Sequence, residues 1–246
     1  MPAVALPSKP DAVLAYELIP GDAASSLLVV FLNGLGFLQS VWKPAIELFQ
    51  QQSTVSPRPW LLTYDRYGQG GSSRDPRENW PSKDPGYAHT LDDVTDDLQE
   101  LIQTVSPDRH SRIVFVNNNI GAQVARRYAE KYPKLKGSKT SLEKGLWVTV
   151  VGHELEQFSR EEWTMLKVPI GMAAIYTQPE HLAKDKGPMN SMWHNYNEGL
   201  CGLTDRDRAK GPLIAPKSGH FIQKDNPAFV AKELQDLVEK AEASSV

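Results

Sequence analysis

A single cysteine, Cys201, stands in the whole chain, so no intramolecular disulfide can form, and the sequence fits a reducing, cytoplasmic setting. No stretch reaches the roughly 18 consecutive apolar residues that a membrane-spanning helix needs, so no membrane role is expected. The opening residues carry Pro2, Pro7 and Pro10 and lack a basic start followed by an apolar run, which speaks against a secretory leader. Charge of one sign is scarce too. The formal net charge is −3, without a basic face to track phosphates, so nucleic-acid partners are not expected. The six histidines are scattered, and none pairs with cysteine or carboxylates at a metal-binding spacing, so neither a metal nor a cofactor is expected.

What is present suffices for one large domain. At 246 residues, with 40% hydrophobic side chains, the chain can bury a substantial core. No repeat or low-complexity tract divides it, so residues 1–246 are expected to form a single domain. Asp11–Pro20 reads as a strand closed by a turn at Ile19-Pro20-Gly21-Asp22. Leu27–Leu32, Trp60–Tyr64, Ile113–Val116 and Leu146–Val151 are continuous apolar runs of the kind that form strands covered on both faces. Thr90–Val105 spaces Leu91, Val94, Leu98, Leu101, Ile102 and Val105 by threes and fours behind a Thr90 cap, which predicts an amphipathic helix. Ile120–Tyr132, Ser159–Lys167 and Pro227–Ala243 are further expected helices, and Leu213–Ala215 a short last strand. Pro169–Asn195 reads as irregular. Strands alternating with helices imply an α/β fold, its mostly parallel sheet flanked by helices on both faces.

Four motifs follow one another in order. Val29-Val30-Phe31-Leu32-Asn33-Gly34-Leu35-Gly36 leaves a buried strand, and Tyr64-Asp65-Arg66-Tyr67-Gly68-Gln69-Gly70-Gly71-Ser72 leaves the next. Val114-Phe115-Val116-Asn117-Asn118-Asn119-Ile120-Gly121 joins a strand to a helix, and Ser218-Gly219-His220-Phe221 precedes the last helix. Together they resemble the oxyanion loop, glycine turn, nucleophile elbow and histidine loop of the α/β-hydrolase superfamily, over residues 12–240. The Val151-Gly152-His153-Glu154 and Tyr196-Asn197-Glu198-Gly199-Leu200 stretches are closest in style to small fungal cofactor-free hydrolases.

The resemblance implies a site and also a departure from it. In the family, the elbow holds a serine whose proton a histidine removes, with an acid orienting that histidine. Here Asn119 stands at the serine position and Asn117 at the first glycine. An amide nitrogen has its lone pair delocalised into the carbonyl and is a poor nucleophile, although Asn tolerates the positive φ of such a turn. Asn119 is therefore a turn residue in a fold that no longer catalyses, or a hydrogen-bonding group in a non-hydrolytic reaction, or the source of an aspartate by slow deamidation. His220 matches the general base. Glu154, nearer the strand end, is preferred over Glu156 as the acid. The backbone amides of Leu35 and Ile120 match the oxyanion donors. Asn33, in place of the family's usual histidine, either donates into the pocket or braces the turn.

In the family another strand, and then a helical lid, normally follow the helix after the elbow. Lys134–Gly145, apolar only at Leu135 and Leu142, is too short for either, so the lid is expected to be largely absent and the pocket open. Trp163, Met165, Met192 and Trp193 are either a partial cover or ordinary core. An empty strand slot would leave buried backbone groups unpaired. Leu146–Val151 is therefore expected to pair directly with Ile113–Val116, giving a sheet one strand narrower and drawing His220 and Glu154 about 4.8 Å towards the elbow.

Two functional readings follow. In one, the chain is a hydrolase-like pseudoenzyme with a degenerate elbow that binds a small, fairly apolar carbonyl compound or a partner. In the other, it is an enzyme, an ester or lactone hydrolase or a lyase or cyclase, using His220 as acid-base. Either way the expected partner is a small-molecule ligand or substrate. The sequence carries no signal of oligomeric state.

Overall fold

Six consecutive apolar residues have no polar side to turn to water, and Leu27–Leu32 forms a strand buried at every position. A computed structural model describes residues 1–34, 36–77, 90–106, 110–132, 147–152, 195, 197–202 and 204–243. The chain divides into two compact units, Met1–Lys43 with Thr54–Lys139, and Pro44–Ser53 with Thr140–Val246. The described strands are β1 (Ala3–Leu6), β2 (Lys9–Ile19), β3 (Leu27–Leu32), β4 (Trp60–Tyr64), β5 (Arg112–Asn117), β6 (Val148–Gly152) and β7 (Ala209–Ile214). The helices are α1 (Lys43–Gln52), α2 (Leu91–Val105), α3 (Ile120–Lys131), α4 (Ile222–Asp225) and α5 (Pro227–Ala243). Among the described residues no helix is long and apolar enough to cross a membrane.

The first unit holds a five-stranded sheet in the order β1-β2-β4-β3-β5. The ladders of β2, with β1 and with β4, are antiparallel, while β3 pairs in parallel with both β4 and β5. Helix α2 starts in a capping box: Asp93 N–H donates to Thr90 Oγ1 at 3.2 Å and Thr90 N–H to Asp93 Oδ2 at 3.0 Å. Its Leu98, Leu101 and Ile102 share one apolar cluster with Leu28, Val30 and Leu32 of β3 and Val124 and Tyr128 of α3. Each such side chain contributes about 1.5–3 kcal/mol on full burial, so this cluster is what holds α2 and α3 to the sheet.

In the second unit β6 pairs in parallel with β7, from Val148↔Ala209 to Gly152↔Ile214. Lys210 of β7 donates to Asp236 of α5 at 3.0 Å, and Leu234 and Val238 bury that helix's apolar side. Among the described residues the expected direct pairing of Leu146–Val151 with Ile113–Val116 is not seen. Among the described residues the ladder β6 makes is with β7, and the ladder β5 makes is with β3. The expected helix 159–167, the irregular 169–195 stretch and the 134–145 connection lie outside the described residues.

Candidate functional site

The turn between β5 and α3 is built around one unusual backbone conformation. Asn119 has φ 55° and ψ −126°, and helix α3 begins at the next residue. Few side chains accept that φ; Asn does so more readily than most. The turn is held from both sides. Asn118 N–H donates to Leu32 O at 3.3 Å, and Gly121 and Ala122 N–H donate to Asn118 O and Asn119 O, each at 3.0 Å. Gly121 is required by close approach: a Cβ there would lie 2.7 Å from Leu32 O. The loop after β3 comes against the same turn, since a Cβ on Gly34 would lie 3.3 Å from Asn119 Cβ.

The Asn119 side chain is engaged with its own turn. Its Oδ1 accepts a hydrogen bond from Ile120 N–H at 2.7 Å. That amide is one of the two oxyanion donors expected from the sequence; the other, Leu35, lies outside the described residues. Asn33 is 2% exposed, and its amide faces the protein frame. Nδ2 donates to Phe37 O and Tyr64 O at 3.2 Å each, while Oδ1 accepts from Trp42 Nε1 at 3.1 Å. Of its two expected roles, this geometry is the bracing one.

The glycine turn after β4 carries residues to which the sequence reading gave no role. Arg66 donates to Asn33 O and Gly34 O at 3.0 Å each, fixing the loop that faces the elbow. Asp65 is buried and accepts from Gln39 N–H at 2.6 Å. Gly70, at φ 52°, passes so close that a Cβ would lie 2.1 Å from Asp65 Oδ2, so glycine is the only residue that fits both angle and space. Beyond the turn opens a cavity of about 510 Å³, with Ile120 and Val124 of α3, Leu91 and Asp97 of α2, and Tyr67 and Gln69 among its lining residues. Tyr67 is 6% exposed, and its hydroxyl, like Gln69 Oε1, is buried without a hydrogen-bond partner among the described residues.

Behind Tyr67 lies a buried charge cluster. Lys9 Nζ donates to Asp75 Oδ2 and Asp97 Oδ1 at 2.6 Å each and sits 4.4 Å from the centre of the Tyr67 ring. Burial pushes the Asp97 carboxyl above its ordinary range, against the pull of the Lys9 hydrogen bonds. Burial acts the same way on Asp75, but hydrogen bonds from Arg77 and Lys9 outweigh it and hold that carboxyl well below the usual range. Burial and the Asp97 and Asp75 charges push the Tyr67 hydroxyl up, so it stays protonated and able to donate.

His220 belongs to the second unit, on the loop between β7 and α4. Its ring stacks edge-on to Phe221 with centroids 4.9 Å apart, and burial lowers its pKa. The loop is braced by Gly219 N–H donating to Asp225 Oδ2 at 2.9 Å and Asn226 Nδ2 donating to Pro216 O at 3.1 Å. Glu154, Glu156 and His153 lie outside the described residues, as do Trp163, Met165, Met192 and Trp193. The first unit thus brings together Asn119, Ile120 and Asn33 of the expected site residues. Among the described residues no cluster of three or more His, Cys, Asp or Glu side chains is placed to hold a metal ion.

The sequence matches no protein-family profile and no curated protein. Solved structures do resemble it. A thermophilic esterase from Thermogutta terrifontis superposes with a TM-score of 0.59 at 15% identity, over 98% of this chain and 99% of that one. A haloalkane dehalogenase loop variant from Bradyrhizobium elkanii gives 0.55 at 14% identity, over 96% of each chain. An enol-lactonase from Burkholderia xenovorans gives 0.52 at 13% identity, over 97% of this chain and 100% of that one. Likeness at such identities is one of fold: the chain has the α/β-hydrolase fold. Function is a matter for the site itself.

Proposed function

We propose that this chain is a hydrolase-like protein that binds a small, fairly apolar carbonyl compound and performs no serine-hydrolase chemistry. The hydrogen bond from Ile120 N–H to Asn119 Oδ1 carries this reading. Acyl transfer needs a nucleophile at the turn and backbone donors aimed at the developing oxyanion. Asn119 supplies no nucleophile, and its carbonyl oxygen already covers one of the donors. What remains is suited to binding. A cavity of about 510 Å³ falls within the usual range for small ligands, roughly 300–1,000 Å³. Leu91, Ile120 and Val124 give it apolar walls.

The test is thermal denaturation of the full chain with a series of small esters and lactones, followed by calorimetry on the best of them. A concentration-dependent rise in Tm is expected. A series without any shift, or steady product formation by the unaltered chain, would overturn the reading.

One observation favours a second reading. Burial keeps the His220 imidazole neutral near neutral pH, the form that can accept a proton. That supports an acid-base enzyme, with Glu154 as its acid, carrying out a lyase or cyclase step that needs no serine. Turnover by the unaltered chain that is lost in His220→Ala would select it.

A further inference from the structure

We propose that Asn119 is a self-modification site, its side-chain amide cyclising onto the Ile120 nitrogen and then opening to an acidic residue at the turn. Two observations carry this. The first is the backbone angle ψ of −126° at Asn119. Tetrahedral geometry at Cα then places the Ile120 nitrogen and the Asn119 Cβ nearly eclipsed about the Cα–C′ bond. That is the arrangement required in a five-membered ring of Ile120 N with Asn119 C′, Cα, Cβ and Cγ. At the ψ values of strands or helices the two atoms are turned well away from one another, so a flexible chain seldom visits it. The second is the position of the side chain. Ile120 N–H reaches Asn119 Oδ1 at 2.7 Å, so Cγ, bonded to that oxygen, is already beside the nitrogen.

The fold holds this geometry. Asn118 N–H is bound to Leu32 O, the first turn of α3 is bound to Asn118 O and Asn119 O, and Gly121 is seated against Leu32. A reaction that in a flexible chain must wait for a rare conformer is here pre-oriented, which is the general source of intramolecular rate gains. Asn119 is exposed, so hydroxide and water reach it.

The chemistry balances without a redox partner. Solvent hydroxide takes the Ile120 N–H proton, and the nitrogen adds to Cγ. The C–N bond of the side-chain amide breaks and ammonia leaves with a proton from water, giving a cyclic imide. Water then opens either carbonyl. Opening at Cγ leaves an ordinary aspartyl residue at position 119, and opening at C′ leaves an isoaspartyl linkage with one extra backbone methylene. The net change is amide plus water to carboxylate plus ammonium. The new charge falls at the N-terminus of the twelve-residue helix α3, where the helix dipole favours it.

Asn117, whose strand backbone turns the reacting atoms apart, and Asn118, whose side-chain oxygen is buried, serve as internal comparators. The full chain is held folded in mildly alkaline buffer, and in parallel in urea. Samples are digested, and the amide-to-acid mass change is localised by fragment mass spectrometry, with isoaspartate read by enzymatic methyl transfer. Asn119 is expected to convert at least about tenfold faster folded than unfolded, with Asn117 and Asn118 unchanged in the folded chain. Hydroxylamine should trap the imide by cleaving after residue 119, and Asn119→Gln, whose ring closure is six-membered, should show neither product. No conversion in the folded chain, or conversion as fast in urea, would overturn the proposal.

Discussion

Replacing Lys9 by Met removes the ammonium group that faces two carboxylates in the interior of the first unit. Lys9 is 3% exposed, and its Nζ lies 2.6 Å from both Asp75 and Asp97. Asp75 keeps three bonds from Arg77, one from its backbone N–H at 2.9 Å and two from its guanidinium at 3.1 and 2.9 Å, so its charge stays compensated. Asp97 loses the cation that satisfies it. Removing one partner of a buried pair costs about 3–5 kcal/mol, because the other charge is left in a poorly solvating site. Asp97 has a partial escape: burial already raises its pKa, so without Lys9 it takes up a proton more readily. We therefore expect a loss near the lower bound, about 3 kcal/mol at neutral pH. A raised carboxyl pKa means the fold favours the protonated form, so the deficit should shrink as pH falls into the carboxylate range and grow as pH rises through the folded-state pKa. Urea unfolding of the full chain at several pH values measures this. Adding Asp97→Leu to Lys9→Met should recover most of the loss, since an apolar pair can replace a buried ionic one. A single variant losing under about 1 kcal/mol, or a double variant no more stable than the single, would refute the reasoning.

Asn33→Ala should destabilise by about 1–3 kcal/mol, because Trp42 Nε1 loses its acceptor and the Phe37 and Tyr64 carbonyls lose a donor; an unchanged Tm would mean that Asn33 does not brace the loop. For His220 the folded state holds the pKa below its ordinary value through burial, so the fold favours neutral imidazole. The stability this contributes is complete above the ordinary value of about 6.5 and is lost as pH falls from there through the folded-state pKa. Urea midpoints of the unaltered chain should therefore drop more steeply below that pH than those of His220→Gln, and parallel curves would contradict the assignment.

How much of this could be read beforehand depended on the range of the interactions. Leu27–Leu32, Trp60–Tyr64 and Pro227–Ala243 were legible to the residue, because a strand covered on both faces and a long amphipathic helix write their burial into consecutive side chains. β1 was not, being four residues between Pro2 and Pro7 with little alternation. β7 was expected at Leu213–Ala215 and forms at Ala209–Ile214, since Lys210, Gly211 and Pro212 disguise a strand. The β5-to-α3 turn was legible because Asn at a strand-helix junction suits positive φ. The Lys9 cluster was not, because its partners are 66 and 88 residues away and no local pattern joins them. The hydrogen bond from Ile120 to Asn119 is likewise not written in the sequence, since only the backbone angles bring that amide and that side chain together.

The central proposal is that the β5-to-α3 turn, with Asn119 at its apex, performs no serine-hydrolase chemistry. The most direct test is the turnover of a p-nitrophenyl acetate-type ester by freshly purified chain whose Asn119 amide has been verified by mass spectrometry. Release at the buffer rate is expected, unchanged by His220→Ala, because no hydroxyl stands at residue 119 and the Ile120 amide is covered by Asn119 Oδ1. Turnover above the buffer rate that saturates with ester and disappears in His220→Ala would contradict it.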